Sequence, residues 1–333
     1  MQGRHRGDVR VLCVVALAAV VCANTIANAA DATQGTTAEQ VAQLDLPQPT
    51  ELEVAILPFW DYAFKQAHIE DCRGALLSLF LAEGFRVAHP ALVGAVVSHD
   101  TGLEPGAAMR REDAIRLGTR VGADWAVYGI ITQLEAYYKE SLFGPRTRKV
   151  RVSMQLNVVD LATGETIFWQ QRRDITGGHQ GSAGLFGKRK ASLERDALMI
   201  CSNRILQPLF AALPAHEKVK PDPTAYPYLD QEESQRAYEA APTDLAIALT
   251  YGQALLCAGL GTDAEAILKD LVQAHDDNAE AHFWHGAALL ATGLQDEAVS
   301  EWQAALEKDP DNELASQQLE AAAGAGQPEG GGQ

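Results

Sequence analysis

The chain has 333 residues, with 27 Lys and Arg against 44 Asp and Glu, a formal net charge of −17. A hydrophobic share of 47 % is enough for two ordinary domain cores. Five cysteines are too few for a disulfide scaffold, and the acidic balance argues against nucleic acid as a partner, because phosphate neutralisation needs an excess of Lys and Arg.

Residues 1–30 read as a secretory signal. Arg4, Arg6 and Arg10 form a positive start, Val11 to Val21 is apolar apart from Cys13, and Ala27-Asn28-Ala29 supplies a small-x-small cleavage pattern. The run is shorter than the ~20 apolar residues of a membrane-spanning helix. Lipid attachment at Cys22 stays open, although Val21 before it fits that processing poorly. The expected location is therefore exported and periplasmic, with peripheral-membrane or outer-membrane association open. Residues 31–50, ending in Pro47 and Pro49, read as a flexible segment.

Residues 51–213 alternate strand and helix signals. A strand is expected over Leu52–Phe59 and a helix over Phe64–Glu83, where Ile69, Leu76, Leu77, Phe80 and Leu81 share a face. A second strand at Phe85–Ala88 precedes helical material, clearest over Arg110–Val121, and a third strand runs from Ala123 to about Leu134. Val150, Val152, Met154, Leu156 and Val158 alternate with polar residues, the period of a half-buried strand. Gly164 closes a turn into Ile167–Arg172, and Ala191–Leu213 reads as a closing helix. The order is β-α-β-α-β-β-β-α, an α/β fold with helices packed on a mixed sheet.

Three stretches in this domain, Val54–Phe59, Val121–Ile130 and Val150–Trp169, resemble the CsgG family and its relatives, among them the TolB N-terminal domain and the LpoB-type activators of penicillin-binding proteins. The resemblance implies an anticodon-binding-like α/β fold and a role in envelope assembly. It also implies two alternatives: an oligomeric outer-membrane secretion channel, or a regulator of peptidoglycan synthesis. The channel builds its barrel from long hairpins, which would fall at Glu135–Lys149 and Arg173–Ala191. Those segments lack the ~9–11 residues of alternating apolar character that a membrane strand needs.

Four prolines between 214 and 228 mark a linker over residues 214–232. Beyond it the sequence repeats at a fixed interval. Gly252 recurs as Gly286, Gly259 as Gly293, Ala264 as Ala298, and Asp277-Asn278 as Asp311-Asn312. Two repeats are expected at 242–275 and 276–309, flanked by single helices within 233–322, with a disordered tail at 323–333. The interval and the small residues resemble tetratricopeptide repeats, stacked helix pairs with a concave groove. By that family's register Leu249, Gln253, Glu280, Phe283 and Ala287 line the groove, while Trp284 and Trp302 pack between helices. Residues 230–320 hold 19 acidic and three basic residues, so the implied partners are proteins with basic or amphipathic segments.

No catalytic constellation emerges. Gly184-Leu-Phe-Gly187-Lys188-Arg189 has the wrong spacing for a phosphate loop, and no serine sits in a nucleophile elbow. His282 and His285, three apart, have no evident third metal ligand. The expectation is a non-enzymatic scaffold without cofactor or metal. Cys72, Cys201 and Cys257 are expected as free thiols, and oligomeric state is not readable.

Overall fold

The computed structural model describes residues 35–61, 66–100, 102–103, 108–141, 144–180, 190–220 and 231–325. The expected secretory signal, the Gly-rich stretch 181–189 and most of the expected linker lie outside them. The strands are β1 (Glu53–Ile56), β2 (Trp60–Asp61), β3 (Arg86–Val87), β4 (Trp125–Ser141), β5 (Gly144–Asp160) and β6 (Thr166–Gln180). The helices are α1 (Ala38–Val41), α2 (Gln66–Ala82), α3 (Pro90–His99), α4 (Arg111–Val121) and α5 (Lys190–Ala212). They continue with α6 (Gln231–Ala240), α7 (Leu245–Cys257), α8 (Gly261–Ala274), α9 (Ala279–Ala291), α10 (Gln295–Lys308) and α11 (Glu313–Ala325).

The sheet order is β3-β1-β4-β5-β6, with β2 beside β4. β1 runs parallel to β3 and β4, and β4, β5 and β6 are antiparallel, so the sheet is mixed as expected. Alternation sorts its residues onto two cores. Val54, Ile56, Val127, Met154, Leu156 and Val158 face α2 and α5. Ala55, Leu57, Ala126 and Val159 face α3 and α4. The protein is thus an α/β body followed by a helical C-terminal region.

β4, β5 and β6 are longer than their apolar alternation indicates: 17, 17 and 15 residues. Pairing continues through Tyr138↔Arg148, Lys139↔Thr147 and Lys149↔Gly177. Alternation reports burial of one face. Where no helix covers the strands the sequence is polar on both sides, yet the ladder still satisfies the backbone.

The N-terminal segment departs from expectation. From residue 35 onward it is a strap, tied to the edge strand β6 by Thr36 N–H donating to Trp169 O (2.9 Å) and Trp169 N–H donating to Thr36 Oγ1 (3.0 Å). Thr37 and Gln40 then cap each other reciprocally at the start of α1. Val41 and Leu46 sink into the core against α5. Two isolated apolar anchors in a polar stretch carry too little periodicity to be read as structure from sequence.

The first part of the linker is also held. Val219 N–H donates to Ala82 O, and Glu83 at the end of α2 accepts from Lys218 Nζ (2.5 Å) and pairs with His216 Nε2 (2.9 Å). The C-terminal helix α11 runs through Ala325, into the start of the expected tail. Cys72 and Cys201 are buried, Cys257 is half-buried, and none of the three is in a disulfide.

Candidate functional site: the inner face of the helical hairpins

The sequence repeat has a structural counterpart. α7 and α9 start one repeat interval apart, at Leu245 and Ala279, as do α8 and α10, at Gly261 and Gln295. Asp244 Oδ1 accepts from Ile247 N–H (3.1 Å), Asn278 Oδ1 from Ala281 N–H (2.8 Å) and Asn312 Oδ1 from Ala315 N–H (3.0 Å). The recurring Asp and Asn are therefore N-caps. Gly252 and Gly286 mark the crossings within each hairpin: a Cβ would stand 2.7 Å from Leu268 Cδ2 in the first and 2.6 Å from Trp302 Nε1 in the second. Trp302 fills that crossing and donates to Phe283 O at 3.2 Å.

The inner face of the two hairpins is occupied by α3 of the α/β body, which packs on α7 and α9. α3 reads Pro-Ala-Leu-Val-Gly-Ala-Val-Val-Ser-His, and Pro90 through Val96 are all buried. A helix that is apolar all round is a core helix. Here it has the sheet and α4 on one side and the hairpins on the other, and a single hydrophobic cluster runs from Ala55 to Ala315. Gly94 allows the close approach, since a Cβ there would collide with the Leu256 carbonyl.

Polar groups fix the joint. Arg73, 6 % exposed, donates from Nη2 to Pro90 O (3.0 Å) and from Nη1 to Cys257 O (3.1 Å), linking α2, α3 and α7. His89 is the N-cap of α3, its Nδ1 accepting from Ala91 N–H (3.2 Å). Its ring lies 4.5 Å from that of Trp284 on α9. Burial, reinforced by the charge of Arg73, pushes the His89 imidazole down to about 3.

The five residues expected along the groove separate into two groups. Leu249 (6 % exposed), Gln253 (8 %), Phe283 (1 %) and Ala287 (0 %) are buried. Leu249, Phe283 and Ala287 belong to the cluster shared with α3. Glu280 is exposed and its Oε1 accepts from Trp284 Nε1 at 3.4 Å. The face expected to be open is covered by this chain's own helix, and α3, Arg73 and His89 are neighbours of that face that sequence reasoning did not supply. The one available signal was the uninterrupted apolar run after Pro90, which shows no periodicity by which to assign it a face.

His282 and His285 turn toward α10. His282 Nδ1 lies 2.6 Å from Glu301 Oε2 and its Nε2 lies 3.0 Å from Asp276 O. His285 Nδ1 stands 3.2 Å from Glu301 Oε1. Burial alone would raise the Glu301 carboxyl, but the two imidazoles outweigh it and hold it below the usual carboxylate range. Among the described residues no group of three His, Cys, Asp or Glu side chains is placed to hold a metal ion.

The joint carries a pH signature. A histidine neutral in the fold and protonated once unfolded makes the unfolded state bind the extra proton, so stability falls as pH drops from about 6.5 towards 3. Glu301, depressed in the fold, adds a loss that begins below about 4.5. Thermal unfolding followed from pH 7.5 to 5 should show a falling Tm. His89→Asn, which keeps an N-cap acceptor and removes the titration, should flatten that limb; an unchanged slope would place the acid sensitivity elsewhere.

No protein-family model matches the chain, and no curated protein matches it. Solved structures similar to it include the PelC L103M dodecamer from Paraburkholderia phytofirmans, at 14 % identity and a TM-score of 0.28 over 47 % of this chain and 87 % of that one. Lipoprotein GNA1162 from Neisseria meningitidis is similar at 15 % identity and a TM-score of 0.33, over 47 % of this chain and 99 % of that one. The LpoB C-terminal domain from Salmonella enterica is similar at 15 % identity and a TM-score of 0.28, over 41 % of this chain and 91 % of that one. No described helix is long and apolar enough to cross a membrane.

Proposed function

We propose that this is an exported envelope accessory protein that works by holding other proteins and carries out no catalysis. In this reading the α/β body is of the CsgG type and the hairpins are tetratricopeptide repeats, in agreement with the regular spacing of their caps and crossings. The observation that carries the proposal is the division of labour between the two faces of the hairpins. Their inner face is spent on α3, which makes them a rigid extension of the body. Their outer face keeps the acidic residues, among them Asp270, Glu297 and Glu307, all exposed. A preformed acidic surface takes a basic or amphipathic segment with little ordering cost.

Titrating the mature chain with a Lys-rich amphipathic peptide tests this. Binding should weaken steeply between 50 and 300 mM salt, by about tenfold or more. A chain carrying Asp270→Lys, Glu297→Lys and Glu307→Lys should lose it while keeping its Tm. Binding that survives both changes would refute the acidic face as the docking surface.

The length of β4, β5 and β6 favours one second reading, the secretion-channel component, since each exceeds the ~9–11 residues of a membrane strand. Their far ends oppose it with Lys139, Arg146, Arg148 and Lys149 in place of an apolar alternation. Light scattering with and without detergent separates the two: a channel gives a large ring that requires detergent.

A further inference from the structure

The far end of the β4-β5-β6 sheet is basic in a chain whose net charge is −17. Residues 135–141, 144–151 and 171–180 hold seven Lys and Arg and three acidic residues, one of which, Glu135, lies 3.7 Å from Arg151. The pairing register gathers them. Lys139 opposes Thr147, Tyr138 opposes Arg148, Lys149 opposes Gly177, and Ser153 opposes Arg173. Arg172 and Arg173 are exposed, and Arg151 lies over the Tyr137 ring at 5.1 Å. The helical C-terminal region lies at the opposite end of β4: α11 sits beside α4, with Gln317 Oε1 3.9 Å from a Cβ built at Gly122, just ahead of β4. α5 covers the sheet face that carries Val150 and Val152, and the other face carries Lys149 and Arg173.

A strand of 17 residues spans about 55 Å. The basic end is therefore several screening lengths from the acidic hairpins docked at the other end, given ~8 Å at physiological salt. Each end presents its own charge to a surface, and the overall negative charge does not cancel the local positive one. Side-by-side strands with cationic residues and a tyrosine, lacking an apolar band, are suited to lying on anionic headgroups rather than passing through them.

We propose that the basic end of the three-stranded sheet is a peripheral docking surface for an anionic lipid bilayer, which orients the acidic hairpins away from the membrane. This surface is distinct from the protein-binding face above, so either can fail without the other.

The test uses the mature chain and vesicles of phosphatidylglycerol mixed with phosphatidylcholine, read by co-sedimentation. Binding is expected to the anionic vesicles, to be released by 0.5 M salt, and to be absent on pure phosphatidylcholine. A basic residue near such a surface is worth about fivefold in partition, so Lys149→Gln with Arg173→Gln, which share one face of the sheet, should lower it by about 25-fold. Neutralising Arg236, Lys269 and Lys308 on the hairpins should leave it unchanged, and Lys149→Arg with Arg173→Lys should retain it. The Tm of each variant reports folding. Salt-resistant binding that requires detergent for release would overturn the proposal in favour of insertion. Absence from the vesicles with self-association at low salt would overturn it in favour of a second copy's acidic hairpins.

Discussion

Phe283→Ala is expected to destabilise the protein by about 3–5 kcal/mol, the cost of removing a fully buried aromatic side chain and leaving a cavity. An open groove would give the opposite pattern. There Phe283 would be a partner-facing residue, its truncation would cost a few tenths of a kcal/mol, and only binding would suffer. Phe283 is 1 % exposed and belongs to the cluster that α3 shares with the hairpins. Its ring also meets Trp284 edge-on at 4.8 Å, a contact worth roughly 0.5–1.5 kcal/mol beyond its burial. Denaturant unfolding gives the number directly. A loss below about 1 kcal/mol would mean that α3 leaves the hairpins in solution.

Gly94→Val should be the more disruptive change, because what it meets is backbone. In an isolated helix replacing glycine gains helical propensity, by up to ~1 kcal/mol with alanine. At this position the new Cβ runs into the Leu256 carbonyl, which cannot rotate away as a side chain would. The two helices must separate, and the apolar surface between α3, α7 and α9 opens with them. The expected cost is at least ~3 kcal/mol, at the upper end of overpacking penalties. Calorimetry adds a qualitative sign. With one core running through both halves, the native chain should unfold in a single transition, and Gly94→Val should split it into an early loss of the hairpin joint and a later melting of the sheet. A single unchanged transition in the variant would show that the helices accommodate the added group.

Taken together, these expectations describe hairpins that act as a fixed arm. A released arm would expose Leu92, Val93 and Val96 along with the inner faces of α7 and α9, at about 25 cal/mol for each Å² of apolar surface. Arg73 would also lose its two carbonyl acceptors. This is why partner binding is assigned to the outer surface, where acidic residues remain after the internal contacts are made.

The features legible in the sequence are those in which a local physical requirement writes a local pattern. The repeat was legible because α7, α9 and α11 each start on a capping Asp or Asn, at Asp244, Asn278 and Asn312, and each hairpin crossing needs a glycine, at Gly252 and Gly286. The order of strands and helices in the α/β body was legible because one buried face imposes alternation on β5 and periodicity on α2 and α4. Trp284 and Trp302 were read as core residues, and they are buried.

What those elements cover is a matter of long-range packing. Whether the inner face of the hairpins is a groove or an interface depends on α3, which lies far earlier in the chain and is apolar on every side, so no periodicity reports its neighbours. The reach of β4, β5 and β6 beyond their apolar alternation depends on the pairing of one polar backbone with another, to which side-chain pattern is blind. The joining of two apparent domains into one core rests on contacts between surfaces that are each hydrophobic in sequence. A buried face has the same composition whether its cover comes from another molecule or from its own chain.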